Sequence, residues 1–139
     1  NRMVEEFSFA YLEALIQHLK TLNATILLHI CGNTTRLLNR MVEIGANILS
    51  LDVEVDLAQA QEIVAGRASI SGNVSTQSLV THSAAQIYEE SCQCIRQAAA
   101  NGHYTLSSSC EVPFETPVEN IDAMVRAARE FGAQFLHGS

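Results

Sequence analysis

Hydrophobic positions along this chain alternate between two periods in a regular order. Within residues 3–21, Phe7, Tyr11, Leu15 and Leu19, with Leu12 and Ile16 beside them, recur at i, i+4 spacing and predict a leading amphipathic helix. Ala24–Ile30 follows as a continuous apolar run, which suits a parallel strand covered on both faces. Leu37, Leu38, Met41, Val42 and Ile44 return to the helical period, and Gly45 closes that segment. Asn47–Leu51 is a second strand. Asp56 can cap the next helix with Gln59 at its third position, and Gly66 closes it. Ala68–Ser71 is a third strand, ending at Gly72-Asn73. Ser83-Ala84-Ala85-Gln86 reads as a capping box that opens a helix to about residue 100, with Gly102 after it. His103–Ser107 is a fourth strand. Thr116-Pro117-Val118-Glu119 combines a capping box with Pro at the first helical position, and Gly132 closes the helix carrying Ile121, Met124, Val125 and Ala128.

The unit of strand, loop, helix and glycine thus recurs four times after one leading helix. Strict alternation of this kind means an α/β fold with a parallel sheet and right-handed crossovers. A small doubly wound sheet and half of a (β/α)8 barrel both satisfy it. The helix-to-strand connections are short and marked by Gly. The strand-to-helix connections are longer and hold nearly all the unusual polar residues, so function is expected at the carboxyl ends of the strands.

Composition narrows the class. With 139 residues, 47% hydrophobic and 17% charged, the chain amounts to one domain that can bury a core, and it is too apolar for a disordered segment. Eight basic and fifteen acidic residues give a net charge of −7 with no basic cluster, which argues against nucleic acid or an anionic membrane surface as partner. No apolar run approaches the roughly 20 residues of a bilayer span. The chain starts at Asn1 with neither an initiator Met nor a signal-peptide pattern, and the expectation is a piece of a larger, cytoplasmic protein. In such a compartment Cys31, Cys92, Cys94 and Cys110 are reduced, and are buried, catalytic or metal-binding.

The first strand ends His29-Ile30-Cys31-Gly32-Asn33. Residues i and i+2 of an extended segment point to the same side, so His29 and Cys31 can present an imidazole and a thiolate to one point. His and Cys are preferred ligands of Zn²⁺. Cys110, just beyond the fourth strand, lies at the same end of the sheet and completes a set of three ligands, leaving one tetrahedral position open, as in catalytic rather than structural zinc sites. A buried Cys and a hydrogen-bonded core His are the plainer alternative. Glu111 is the nearest candidate for a fourth ligand, but its neighbour Cys110 points the other way. Asp52 and Asn73, at the ends of the second and third strands, are candidate catalytic residues that contact substrate polar groups or support the metal from outside; a helix cap or an Asx turn would also explain them. Cys92 and Cys94 lie about 200° apart around one helix and are packing residues. His18, His82, His103 and His137 have no ligand-type spacing.

Together, HICGN, SLD, SGNV and SSSCEVPFETPVENIDAMVRAAR resemble the C-terminal half of the uroporphyrinogen decarboxylase-like superfamily, most closely its zinc-dependent corrinoid methyltransferases of the methylcobalamin:coenzyme M methyltransferase type. The resemblance implies a complete (β/α)8 barrel, of which residues 1–139 supply strands five to eight as one domain fragment. It implies zinc on His29, Cys31 and Cys110, and a methyl-corrinoid (methylcobalamin) carried by a separate protein that exchanges a methyl group with a small-molecule thiol or other donor or acceptor. Two other functions fit less closely. A porphyrin decarboxylase with incidental cysteines would need basic residues for its acidic substrate, and Arg36 and Arg67 are the nearest to the strand ends. The other is an inactive metal-binding fragment. Without the first four strands the chain alone is expected to be inactive. An opened barrel leaves unpaired edges at Thr25–Ile30 and His103–Ser107 and bares an inner face expected to be apolar, so a homo-oligomer of the fragment is expected.

Overall fold

A computed structural model describes residues 2–135. His137 lies outside the described residues. Helix α1 runs from Arg2–Val4 through a wide turn at Glu5–Phe9 into Ala10–Thr21. Then come β1 (Leu27–His29), α2 (Leu38–Glu43, entered through a 3-10 turn at Thr35–Leu37), β2 (Ile48–Ser50) and α3 (Leu57–Val64). The remainder is β3 (Ser69–Val74), α4 (Thr76–Thr81), α5 (Ala84–Ala98), β4 (Tyr104–Ser108) and α6 (Val118–Arg126).

The strands form one parallel sheet in the order β1-β2-β3-β4. A doubly wound sheet reverses its strand order at a switch point. This one never reverses, and crossovers of one hand then place every helix on the same face. The architecture is that of a partial (β/α) barrel, the second of the two expected from the sequence.

Register divides the sheet into two chemically different faces. Leu28, Leu49, Ile70 and Tyr104 are ladder partners across all four strands, and the three aliphatic side chains are buried under the helices. Phe9, Ile16, Leu38, Met41, Val64, Leu79 and Ile87 fill the space above them. Burying each large side chain contributes about 1.5–3 kcal/mol. The next rank, His29, Ser50, Ser71 and Thr105, faces the other way. The inner face is therefore rich in hydroxyls, which corrects the expectation of an apolar one. Leu27 stays 54% exposed, so β1 is not covered on both sides. Among the described residues, no strand pairs with the outer edges of β1 and β4.

Local signals decide most element ends. The Asp56 carboxylate accepts from the Gln59 N–H at 2.7 Å and caps α3, and Ala65 and Gly66 turn left-handed after it. Gln86 Oε1 accepts the Ser83 N–H at 3.0 Å at the start of α5. A Cβ on Gly72 would meet the Leu51 carbonyl oxygen at 2.9 Å, so glycine lets β3 approach β2.

Several expectations fail for physical reasons. Pro117 is the N-cap of α6 rather than its first helical residue, which puts Thr116 one position too early for a capping box; its buried hydroxyl finds no partner among the described residues. Gly132 does not stop that helix, since its backbone stays right-handed and the chain coils on through Ala127–Phe131 to Gly132–Phe135. Helix α4 was not foreseen, because Thr76-Gln77-Ser78 carries no apolar period; Ser75 caps it and Leu79 anchors it in the core. On α1 the buried side chains are Phe9 and Ile16, with Leu12 and Leu19 packed beside them, while Phe7, Tyr11 and Leu15 are exposed. Arg40 ties this helix to α2 through Glu5 at 3.1 Å and Glu13 at 2.8 Å. No helix among the described residues is long and apolar enough to cross a membrane.

The two faces should respond differently to truncation. Leu49→Ala opens a cavity under the helices and should cost about 2–5 kcal/mol in chemical denaturation. Leu27→Ala, on the open face, should cost under about 1 kcal/mol. Equal costs would contradict this division of the sheet.

Candidate metal centre

The chemistry gathers where β1 and β4 end. His29 is the last residue of β1, and Cys31 follows on the same side. Gly32, at φ +79, then turns the chain away. His29 Nε2 lies 3.3 Å from Cys31 Sγ. Cys110 Sγ, arriving from the loop after β4, lies 3.7 Å from Cys31 Sγ. That loop is pinned by the Ser109 N–H, which donates to the Val74 carbonyl at 2.8 Å, and by the Ser108 hydroxyl, which donates to the Cys110 carbonyl at 2.7 Å. The three ligand atoms all fall within 4.8 Å of one another.

The His29–Cys31 and Cys31–Cys110 separations match those of a bound metal. Two sulfurs bound tetrahedrally to zinc at about 2.3 Å stand about 3.7–3.8 Å apart, and a sulfur and an imidazole nitrogen about 3.5 Å. The donor set of one neutral imidazole and two thiolates is a zinc set. Among the described residues no fourth His, Cys, Asp or Glu joins the cluster. The Cys31 thiol is held above its ordinary pKa, first by its hydrogen bond and charge interaction with Cys110, then by partial desolvation and the Asp52 carboxylate. Two thiolates side by side repel, and a bound dication inverts that balance.

Asp52 and Asn73 both converge on this loop system. The Asp52 carboxylate accepts the Gly32 N–H at 2.9 Å and the Glu54 N–H at 3.3 Å, which braces the turn directly after Cys31. Asn73 is only 7% exposed. Its amide donates to the Asp52 and Val55 carbonyls at 3.0 and 2.8 Å, so it anchors the segment that carries Asp52. Asn33 ties the β1 loop to the β2 loop through the Glu54 carbonyl at 3.2 Å.

Beside Cys110 lies a cavity of about 310 Å³ lined by Leu27, His29, Ser50, Ser71, Ser107 and Glu111 among others. The Ser71 and Ser107 hydroxyls are 2.9 Å apart. The sequence carries a signal for this hydroxyl lining that the reading above does not use: polar alternation at period two, in Ser69-x-Ser71-x-Asn73 and Thr105-x-Ser107. A second hollow of about 230 Å³, lined by Ile95, His103, Leu106 and Phe135, sits at the opposite end of β4.

The other candidates stand apart. Cys92 and Cys94 are buried on α5, and burial pushes both thiols up. His18, His82 and His103 join no such cluster. Arg67 is not at the carboxyl ends: it precedes β3 and donates to Asn39, Ile63 and Val64 around the end of α3. Arg36 is exposed in the loop after β1.

Thiol chemistry separates the pairs. Cys31 is exposed and Cys110 partly so, whereas burial blocks access to Cys92 and Cys94. Iodoacetamide should label Cys31, and more slowly Cys110, in the folded chain, whereas Cys92 and Cys94 should react only after unfolding. Peptide mapping by mass spectrometry reads this, and labelling of Cys92 or Cys94 in the folded chain would contradict it.

A family model described as uroporphyrinogen decarboxylase (URO-D) matches residues 1–131. The chain is 29% identical over 127 residues to the methylcobamide:CoM methyltransferase MtbA of Methanosarcina acetivorans, covering 91% of this chain and 36% of that protein. It is 30% identical over 131 residues to the uroporphyrinogen decarboxylase of Trichodesmium erythraeum, covering 93% of this chain and 36% of that protein. Its fold matches a solved methyltransferase from Methanosarcina mazei with a TM-score of 0.81 at 27% identity, over 93% of this chain and 37% of that one. The chain thus spans little more than a third of the length of these relatives. By sequence and by fold, the chain belongs to the uroporphyrinogen decarboxylase family and is related to its CoM methyltransferases.

Proposed function

We propose that this chain carries the metal-binding part of a zinc-dependent methyltransferase, which moves a methyl group between a corrinoid on a separate carrier protein and a small-molecule thiol or other methyl donor or acceptor. The observation that supports this reading is the cluster of His29, Cys31 and Cys110 at the carboxyl ends of β1 and β4. The relatives named for methyl transfer between a methylcobamide and CoM support it too. His29 Nε2 and the two sulfurs would hold the ion, with Cys31 and Cys110 as thiolates. Zinc bound there would lower the pKa of a substrate thiol, making it a nucleophilic thiolate at neutral pH. Asp52 and Asn73 are positioning residues: Asp52 holds the turn that presents Cys31, and Asn73 holds the segment that carries Asp52.

A porphyrin decarboxylase is the second reading, favoured by the 30% identity to the Trichodesmium erythraeum enzyme. An acidic substrate calls for cations at the site, and Arg67 is engaged at the end of α3 instead. A catalytically inactive metal-binding fragment is the third. In the proposed reading, positioning contacts from the rest of a barrel complete the site, so the chain alone does not turn over.

Metal content decides between the first two readings. Protein purified without added metal should contain one zinc per chain by elemental analysis, and the Cys31→Ala/Cys110→Ala variant should contain none. Full occupancy in that double variant would falsify the ligand assignment.

Self-association is proposed on the free edges of β1 and β4 and the exposed stripe of Met3, Phe7, Tyr11 and Leu15. A second copy covers both in a two-fold assembly. Sedimentation at micromolar concentration should give a dimer or larger species, and a folded 15.2 kDa monomer would refute it.

A further inference from the structure

The two nitrogens of the His29 ring have different partners. Nε2 faces Cys31 Sγ at 3.3 Å. Nδ1 faces the main-chain oxygen and the hydroxyl oxygen of Ser50, each at 3.1 Å. A carbonyl oxygen can only accept, so this contact requires the proton on Nδ1. A neutral imidazole has one N–H, and Nε2 is then left with its lone pair, the form that binds a metal. The Ser50 hydroxyl oxygen adds a second acceptor beside the first and limits rotation of the ring.

Ser50 is the ladder partner of His29, so the regular β1–β2 pairing sets this geometry and no loop is involved. Barrel interiors are usually filled by Val, Ile and Leu at such positions. Ile48, the inward residue one step earlier on β2, follows that habit, whereas Ser50 does not. An aliphatic side chain at position 50 would leave Nδ1 with the carbonyl alone.

From this geometry we infer that Ser50 is a positioning residue of the candidate metal centre, which fixes the tautomer and ring orientation of His29 without touching the ion. Its consequence for metal affinity rests on the zinc reading above, whereas the tautomer does not.

The test uses the 139-residue chain in two forms. In the metal-free chain, long-range ¹H–¹⁵N correlation at a pH where the imidazole is neutral should show His29 as the Nδ1–H tautomer. Ser50→Ala keeps the carbonyl and should keep that tautomer, losing only the hydroxyl that limits ring rotation. In zinc titrations, Ser50→Ala should weaken binding about tenfold or more, as loss of an outer partner to a metal-bound His does elsewhere, with Ser50→Thr, which keeps the hydroxyl, restoring it. An Nε2–H tautomer in the unmutated chain would overturn the inference. So would a Ser50→Ala chain that binds zinc as tightly as the original. A chain that shows the Nδ1–H tautomer but binds no zinc upholds the assigned ring geometry and rejects the zinc reading.

Discussion

Parallel pairing of β1 with β2 in one register is the constraint on which the rest depends. With Leu28 opposite Leu49 and His29 opposite Ser50, one rank of side chains turns to the helices and the next to the open face. A slip of one residue would exchange the ranks. His29 would enter the apolar layer against Phe9 and Met41, and Leu28 would stand where the ligand belongs. Burial of Leu28, Leu49 and Ile70 therefore does more than stabilise the sheet. The same free energy that holds the core selects the register that presents the imidazole and thiol together.

Beyond the strand ends, hydrogen bonds between loops take over from the ladder. The turn after β1 is braced by a carboxylate from β2's loop, and that loop is held by a buried amide from β3. Buried polar groups are stable only when satisfied, and the Asn73 amide has acceptors for both donors and a thiol donor from Cys94 for its oxygen. The chain of support runs Asn73 to Asp52 to Gly32, and ends one residue past Cys31. It also gathers an acidic group and two thiols in one place, which disfavours the ionised form of Cys31.

How much of this was legible in the sequence follows how local each signal is. The Asp56 and Ser83 caps involve residues three apart, and both were readable. His29 and Cys31 were readable because strand alternation is local, and Cys110 because parallel strands share an end. The failures involve competition that local rules do not weigh. Both stripes of α1 are apolar, so periodicity could not choose between Phe9 and Phe7 for the core. Gly132 permits a left-handed stop but does not impose one, and the packing of Phe131 and Phe135 beside α5 accompanies continuation. Asn73 is a different case: at a strand end, substrate contact, support of a metal from outside, a cap or an Asx turn all fit, and its bonds to the Asp52 and Val55 carbonyls depend on where those lie in space, which no sequence window contains.

The hydroxyl rank on the open face joins the fold to the chemistry. Closed barrels gain stability by filling their interior with branched aliphatic layers. Here that layer, at the level of His29, consists of Ser50, Ser71 and Thr105, with Ser107 one step further on. Small hydroxyls give up apolar contact area, so they do not serve packing. Ser50, Ser71 and Ser107 line a space of about 310 Å³ beside Leu27, His29 and Cys110. Stability is supplied instead by the opposite face, where the core from Phe9 to Ile87 is buried under the helices. Because the two faces are adjacent ranks of the same strands, the rank that carries His29 stands on a backbone held by the core beneath it.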